Sequence, residues 1–150
     1  KMRYVKPMMA GTRCHMLAMY VVLESYLAMV ADYPEAYEGQ PGFDFLQKVP
    51  TVWDETKVLN AEVGEFLTVA RRKGNEWYVG TINNSTVREL KIPLDFLPLG
   101  TFNAELYSDG PETAKDPNGL VKVSRSVTNT GFVTVKMEPG GGQVMRLLKQ

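Results

Sequence analysis

Five carboxylates crowd the 32 residues from Val49 to Gly80: Asp54, Glu55, Glu62, Glu65 and Glu76. Trp53, Trp77 and the basic triplet Arg71-Arg72-Lys73 lie among them. Two carboxyl groups facing each other across a bond can hydrolyse it, one giving a proton while the other activates water or attacks. Tryptophan rings offer the flat apolar faces on which sugars stack. The spacing argues against using these groups that way. Asp54 and Glu55 are adjacent and would point to opposite faces of a strand. Glu62 and Glu65 sit around a turn before Phe66. A strand tryptophan packs more often than it binds. The stretch therefore reads as a seam between structural units, with its carboxylates solvated or hydrogen-bonded.

Other chemistry is thinner still. Cys14 is the only cysteine, so no intramolecular disulfide can form. It falls in an apolar helical pattern and reads as a packed thiol. His15 is the only histidine, which excludes a site of several histidines around a metal. Neighbours on a helix point about 100° apart, so Cys14 and His15 do not make a dyad. Arg13 is a helix-start side chain with either a solvent role or a place near a binding mouth.

Seventeen basic residues balance seventeen acidic ones among 150, which argues against nucleic acid or an anionic membrane as the main partner. The apolar run from Met16 to Ala31 is broken by Glu24 and is short for a bilayer, so no membrane span is expected. No charged-then-apolar leader follows Lys1-Met2-Arg3, and the chain reads as an internal piece of something longer.

The chain divides into two styles of pattern. Thr12 offers an N-cap for a helix over residues 12–25, apolar nearly all round. Residues 26–32 form a short apolar run ending at Asp32, either more helix or a buried parallel strand. Residues 41–48 read as a second short helix with Pro41 near its first position. After Pro50 the pattern changes to short alternating runs separated by turn signals. These are a first strand near Thr51–Asp54, then Glu65–Arg72, Glu76–Asn83, Val87–Leu94, Phe102–Tyr107, Val121–Val127, Phe132–Met137 and Val144–Leu148. Lys73-Gly74-Asn75 is a hairpin signal. The expected fold class is mostly β, a C-terminal antiparallel β-sandwich with Greek-key connections, preceded by helix–strand–helix. A lone apolar strand between helices cannot bury itself, so residues 1–48 read as the end of a larger α/β barrel and 49–150 as the sandwich. Cut from that barrel, the apolar face of residues 14–31 is expected to lack a partner and to drive association or rearrangement.

These residues also carry a family resemblance. In order they are Gly11-Thr-Arg-Cys-His-Met-Leu-Ala-Met-Tyr-Val-Val22, Glu24-Ser-Tyr-Leu-Ala-Met29, Ala31-Asp-Tyr-Pro34 with Tyr37, Val49-Pro-Thr-Val-Trp-Asp-Glu-Thr-Lys-Val-Leu59, Ala70-Arg-Arg-Lys-Gly74 with Trp77-Tyr-Val-Gly80, and Pro139-Gly-Gly-Gly142. Together, over roughly residues 8–148, they resemble the C-terminal end of glycoside hydrolase family 97, the α-glucosidases and α-galactosidases found mostly in gut Bacteroidetes. Tyr26, where the family usually has proline, and Asn60-Ala61, where a glycine turn is usual, depart from it.

The resemblance implies an N-terminal β-sandwich, a central (β/α)₈ barrel and a C-terminal β-sandwich. Residues 12–25 resemble the seventh barrel helix, 26–32 the eighth strand and 41–48 the eighth helix. It also implies acidic catalytic residues and a calcium ion upstream of this chain. No catalytic residue, metal ligand or cofactor is therefore assigned here. Asp32 alone is kept as a substrate-facing candidate, because it ends the segment resembling a barrel strand and such ends face the catalytic mouth; its plainer reading is a turn-starting aspartate before Tyr33-Pro34.

The implied role is structural and assembly-forming. The partners are the rest of the barrel, a possible homo-oligomer through the sandwich, and an α-linked oligosaccharide for the whole enzyme. The implied location is the periplasm or cell surface. An alternative from another class is a carbohydrate-binding β-sandwich module, which requires Trp77, Tyr78 and Tyr107 exposed in a line. A third, an immunoglobulin-like adhesion domain, leaves the helical half unexplained.

Overall fold

The computed structural model describes residues 11–150. The N-terminal residues 1–10, and with them the expectation about a leader, lie outside the described residues. The elements are α1 (Arg13–Val22), a 3-10 turn (Pro34–Ala36), α2 (Phe43–Leu46), β1 (Glu55–Glu62), β2 (Phe66–Lys73), β3 (Glu76–Asn83), β4 (Arg88–Pro93), β5 (Thr101–Ser108), β6 (Val121–Thr128), β7 (Phe132–Met137) and β8 (Gly142–Lys149).

The strands make a six-stranded antiparallel sheet in the order β1-β2-β3-β8-β5-β6 and a two-stranded ribbon, β4-β7. The β2–β3 hairpin closes through Gly74-Asn75, where Gly74 takes φ +58, a conformation glycine adopts without steric cost. β8 returns to lie between β3 and β5, the long-range closure that a Greek key requires.

The ribbon covers one face of the sheet over an apolar core that includes Trp77, Val79, Ile92, Leu94, Phe102 and Leu147. Trp77 and Phe96 meet edge-on at 5.0 Å between ring centroids. The opposite face carries α1 and α2, with Leu17, Ala18, Val21, Phe45, Tyr78, Tyr107 and Val144 packed together. The molecule thus has three layers, with the sheet in the middle.

Helix α1 is capped by Thr12, whose side chain accepts a hydrogen bond from the His15 N–H at 3.2 Å. Cys14, Leu17, Ala18, Val21 and Val22 are its buried residues, the spacing of one helical face. This face finds its partner in the chain's own sheet, which corrects, for its α1 part, the expectation that the apolar face of residues 14–31 lacks one. Gly80 lets the helix lie close, because a Cβ there would stand 2.8 Å from Val21 Cβ and 3.0 Å from the Ala18 carbonyl oxygen.

Four segments depart most from the sequence reading. Helix α1 ends at Val22, where Leu23 turns extended. Helix α2 is a single turn, because Gly42 at φ +84 forms its N-cap after Pro41. Residues 51–54 are irregular and the first strand begins at Glu55. Residues 26–32 join no sheet among the described residues; Tyr26, Leu27 and Met29 are 72–79% exposed. A strand needs a neighbour to pair its backbone groups, and here none stands beside it.

Candidate functional site

The carboxylates of the opening stretch are engaged in holding the β1–β2 and β2–β3 connections. The Asp54 carboxylate accepts from the Gly74 N–H at 2.7 Å and from Lys73 Nζ at 3.1 Å. Glu55 takes Arg72 Nε at 3.0 Å and Lys57 Nζ at 3.2 Å. The two acids do not diverge as adjacent strand residues would. Asp54 precedes the strand, so both turn to Arg72, which lies 3.8 Å from Asp54. The Gly74 backbone N–H and then Lys73 hold the Asp54 carboxyl below its ordinary value, and Arg72 and then Lys57 do the same for Glu55. A general acid needs its pKa raised toward neutrality, so the direction is wrong for proton donation. Glu65 pairs with Arg88 and accepts from Asn84 Nδ2 at 3.1 Å. Glu62 is exposed at a strand end.

Glu76 belongs to a half-buried network on the helix side of the sheet. Arg146 grips it with two bonds, Nε to Oε2 at 2.9 Å and Nη2 to Oε1 at 2.8 Å. Tyr78 donates to Glu76 at 2.7 Å, and Arg146 Nη1 reaches Glu105 at 3.5 Å. Burial first, and the Glu76 carboxylate second, push the Tyr78 phenol up to about 12. Beside it Asp44 accepts from Tyr107 Oη and Lys122 Nζ, each at 2.6 Å. Burial alone would raise the Asp44 carboxyl, but Lys122 and Tyr107 outweigh it and hold it low. Neither cluster was foreseen, because its members come from strands and helices far apart in sequence.

Asp109 follows β5, before Gly110-Pro111. It is the clasp under the start of α1, accepting from the Glu138 N–H at 3.0 Å and the Gly142 N–H at 3.3 Å. Burial raises its carboxyl above the ordinary value. Cys14 is fully buried; desolvation and the neighbouring Asp109 push its thiol far above the ordinary range, which disfavours the nucleophilic thiolate. The His15 ring turns away to the Gly141 carbonyl, 3.1 Å from Nδ1. Arg13 bonds Gln40 at 3.2 Å and the Pro41 carbonyl at 3.1 Å, fastening the loop before α2.

The aromatic platform is ruled out. Trp77, Tyr78 and Tyr107 are 3%, 2% and 0% exposed, so the carbohydrate-binding alternative loses all three of the rings it required. Trp53 is half-buried and packs edge-on to Tyr78 at 5.4 Å between centroids. No group of three or more histidine, cysteine or acidic side chains stands ready for a metal among the described residues, and no described helix is long and apolar enough to cross a membrane.

What remains unspent is apolar surface. Leu23, Tyr26, Leu27, Met29, Val30 and Tyr33 are exposed in the irregular segment after α1. The segment is tied back by Tyr20 Oη to the Met29 carbonyl at 3.0 Å and by Tyr37 Oη to the Ala31 carbonyl. It walls a cleft of about 250 Å³ with Met16, Met19 and Pro50. Asp32 lies exposed at its end with φ +114, and its Oδ1 accepts from the Tyr33 N–H at 2.9 Å.

Comparison with known families decides what kind of domain this is. Residues 52–148 match the profile described as glycosyl-hydrolase 97 C-terminal, oligomerisation. The chain belongs to this family.

The chain is 37% identical over 145 residues to a retaining α-galactosidase of Bacteroides thetaiotaomicron, and 32% identical over 127 residues to a probable retaining α-galactosidase of Streptomyces bingchenggensis. Those matches cover 96% and 84% of this chain. A family 97 enzyme from Pseudoalteromonas sp. strain K8, solved with acarbose, superposes with a TM-score of 0.88 at 37% identity over 93% of this chain and 23% of its own. The chain spans 22% and 19% of the two curated relatives' lengths. The family's C-terminal β-fold, foreseen from the residues, is what the structure contains.

Proposed function

We propose that this chain is the C-terminal portion of a larger α-glycoside hydrolase, in which it has a structural and assembly role while residues elsewhere perform the chemistry. The observation that carries this reading is the state of its carboxylates. Asp44, Asp54, Glu55, Glu65, Glu76 and Glu105 are each paired with lysine or arginine, and Asp109 is half-buried as a backbone clasp. The family match and the short share of the relatives' length support it from outside. The relatives named α-galactosidase favour an α-galactoside as the substrate of the whole enzyme, within a wider class of α-linked oligosaccharides.

In that enzyme residues 1–48 close the catalytic barrel and 49–150 form the sandwich. The exposed apolar segment from Leu23 to Tyr33 is the surface that packs against the preceding barrel. Asp32 then stands at the end of the eighth barrel strand, facing substrate. The calcium ion sits with the upstream residues, and the enzyme works in the periplasm or at the cell surface.

The test is a paired hydrolysis assay on aryl α-galactoside and aryl α-glucoside, with and without calcium. This chain alone is expected to be inert and the full gene product active, and the anomer released reports the mechanism. Cleavage by the chain alone would overturn the placement of the chemistry and make Asp32 and Glu55 the first positions to mutate.

A further inference from the structure

One buried charge has no counter-ion among the described residues. Arg71, on β2, is 4% exposed. Its Nη2 donates to the Val22 carbonyl at 3.2 Å, and its Cζ lies 5.8 Å from the centre of the Trp53 ring. Its Nε is buried with no hydrogen-bond partner. No described aspartate or glutamate forms an ion pair with it. Residues 1–10 contain no acid at all. The acids on the same face of the sheet are already matched. Tyr78 stands opposite Arg71 across the β2–β3 pair, and Glu76, one step along that face, is held by Arg146 and Tyr78. Glu105 is shared by Arg146 and Lys48. Two acids thus meet two cations, and Arg71 is in excess. The last carbonyls of α1 and the face of Trp53 offset part of its charge. A lone buried charge is otherwise costly, and a carboxylate is the usual remedy.

We propose that Arg71 is one half of an ion pair whose carboxylate belongs to the part of the protein that precedes this chain. This deepens the reading of the chain as the end of a larger hydrolase and rests on it. The cation lies where such a partner would dock. Val22 leads into Leu23, and Trp53 follows Pro50 and Thr51; Leu23, Pro50 and Thr51 wall the apolar cleft with Met16, Met19 and Met29. The partner therefore carries an apolar side chain for the cleft and an aspartate or glutamate beside it. The matched family domain is a C-terminal one, and the chain spans 22% and 19% of its curated relatives, so most of such a protein lies ahead of α1. A segment tethered there meets the outer face of α1 at high effective concentration. A second copy docked two-fold on this cleft would instead bring its own unmatched Arg71 to the contact. Glu24 is near in sequence, but it is exposed and makes no ion pair with Arg71.

The test is Arg71→Met in this chain and in the full gene product, read as melting temperature against pH. In the chain alone the change removes a charge that has no counter-ion, so the melting temperature should hold or rise. In the full gene product it strands a buried carboxylate and should lower the melting temperature by several degrees near neutral pH. A carboxylate beside arginine has its folded pKa below the ordinary value of about 4. Its contribution is present above the ordinary value and lost as pH falls through the folded one, so the gap between wild type and variant should close in acid. Arg71→Lys keeps the charge, so in the full gene product it should melt well above Arg71→Met, or fold where that variant does not. A lysine variant no better than the methionine one, or equal shifts in chain and full product, overturns the ion pair. The reading of the chain as an inert end-piece then still stands if only the full product hydrolyses aryl α-galactoside. A loss that Glu24→Gln reproduces, and that the double variant does not enlarge, places the acid in this chain and overturns the upstream partner. Hydrolysis by this chain alone overturns the reading on which the proposal rests.

Discussion

The two faces of the six-stranded sheet are held by different means. On the ribbon side the contacts are mainly apolar, with Trp77, Val79, Leu106, Val135, Met145 and Leu147 meeting Ile92, Leu94 and Phe96, and the buried polar trio Thr68, Thr81 and Gln143 carries no charge. On the helix side apolar packing shares the surface with charged, half-buried groups. Arg71 donates to the Val22 carbonyl at 3.2 Å, and the Asp44 and Glu76 clusters flank Phe45. Apolar burial is strong but tolerant of register, whereas a buried polar pair is satisfied in one geometry only. The ribbon side therefore supplies stability, and the helix side fixes where a short helical segment docks.

The largest expected effect tests that division directly. Trp77→Ala should cost about 3–5 kcal/mol, the usual range for deleting a buried aromatic, and should lower the midpoint of the whole denaturation curve. Phe45→Ala removes an equally buried ring, 0% exposed, from the helix side. It should loosen α1 and α2 first, seen as faster amide exchange over residues 13–47 with β2, β3 and β8 still protected. Equal protection loss on both sides in the Phe45 variant would mean that the two layers unfold as one.

A smaller effect belongs to the clasp that starts the helix. Thr12→Ala removes the side-chain acceptor for the His15 N–H and should cost about 1 kcal/mol, read by urea denaturation. Thr12→Ser should recover most of it. If both variants match the wild type, the backbone bonds of Thr12 and Arg13 to Gly140 and Pro117, at 3.0 and 2.8 Å, hold the helix start without help from the cap.

The pH dependence separates two aspartates on this same face. The Asp44 carboxyl is held below 3.8, so its contribution is present above that unfolded value and is lost as pH falls through the lower folded one. The Asp109 carboxyl is raised by burial, so its contribution is present below 3.8 and is lost as pH rises through the folded value. Asp44→Asn should therefore flatten the acid limb of the stability curve. Asp109→Asn should flatten the decline above pH 3.8 while keeping an acceptor for Glu138 and Gly142. Melting temperature against pH for both variants is the measurement. Identical profiles would show that the two carboxyls share one titration.

The strands were legible because their cues are local. Alternation along 76–83 and 132–137, and the glycine turn at Gly74, needed no tertiary information, and β3 and β7 appear where the pattern put them. Asp54 and Glu55 are hydrogen-bonded as read, although their convergence on Arg72 reverses the geometry expected of neighbours on a strand. What could not be read was whatever depends on a partner distant in sequence. Asp44 meets Lys122 across 78 positions and Arg146 meets Glu76 across 70, and no spacing rule reaches that far. The run 26–32 stays irregular here for the complementary reason. Its pattern fits either more helix or a buried strand, and a strand forms only when another strand stands beside it.

That segment gives the comparison its smallest and most selective test. Leu27 and Met29 are each 79% exposed, so the double change Leu27→Ser with Met29→Ser should alter the stability of this chain alone by less than about 0.5 kcal/mol, as surface substitutions do. The same change in the full gene product should be costly if these side chains are buried against the barrel, because each would then leave an apolar pocket and carry a hydroxyl into it. The isolated chain should also become less prone to associate, since the contiguous apolar patch is broken. Melting curves of both proteins, and light scattering of the shorter one, read the three expectations together. A small effect in both proteins would place the barrel contact elsewhere, and the sheet's helix side would then be the only docking surface the apolar residues of α1 and α2 need.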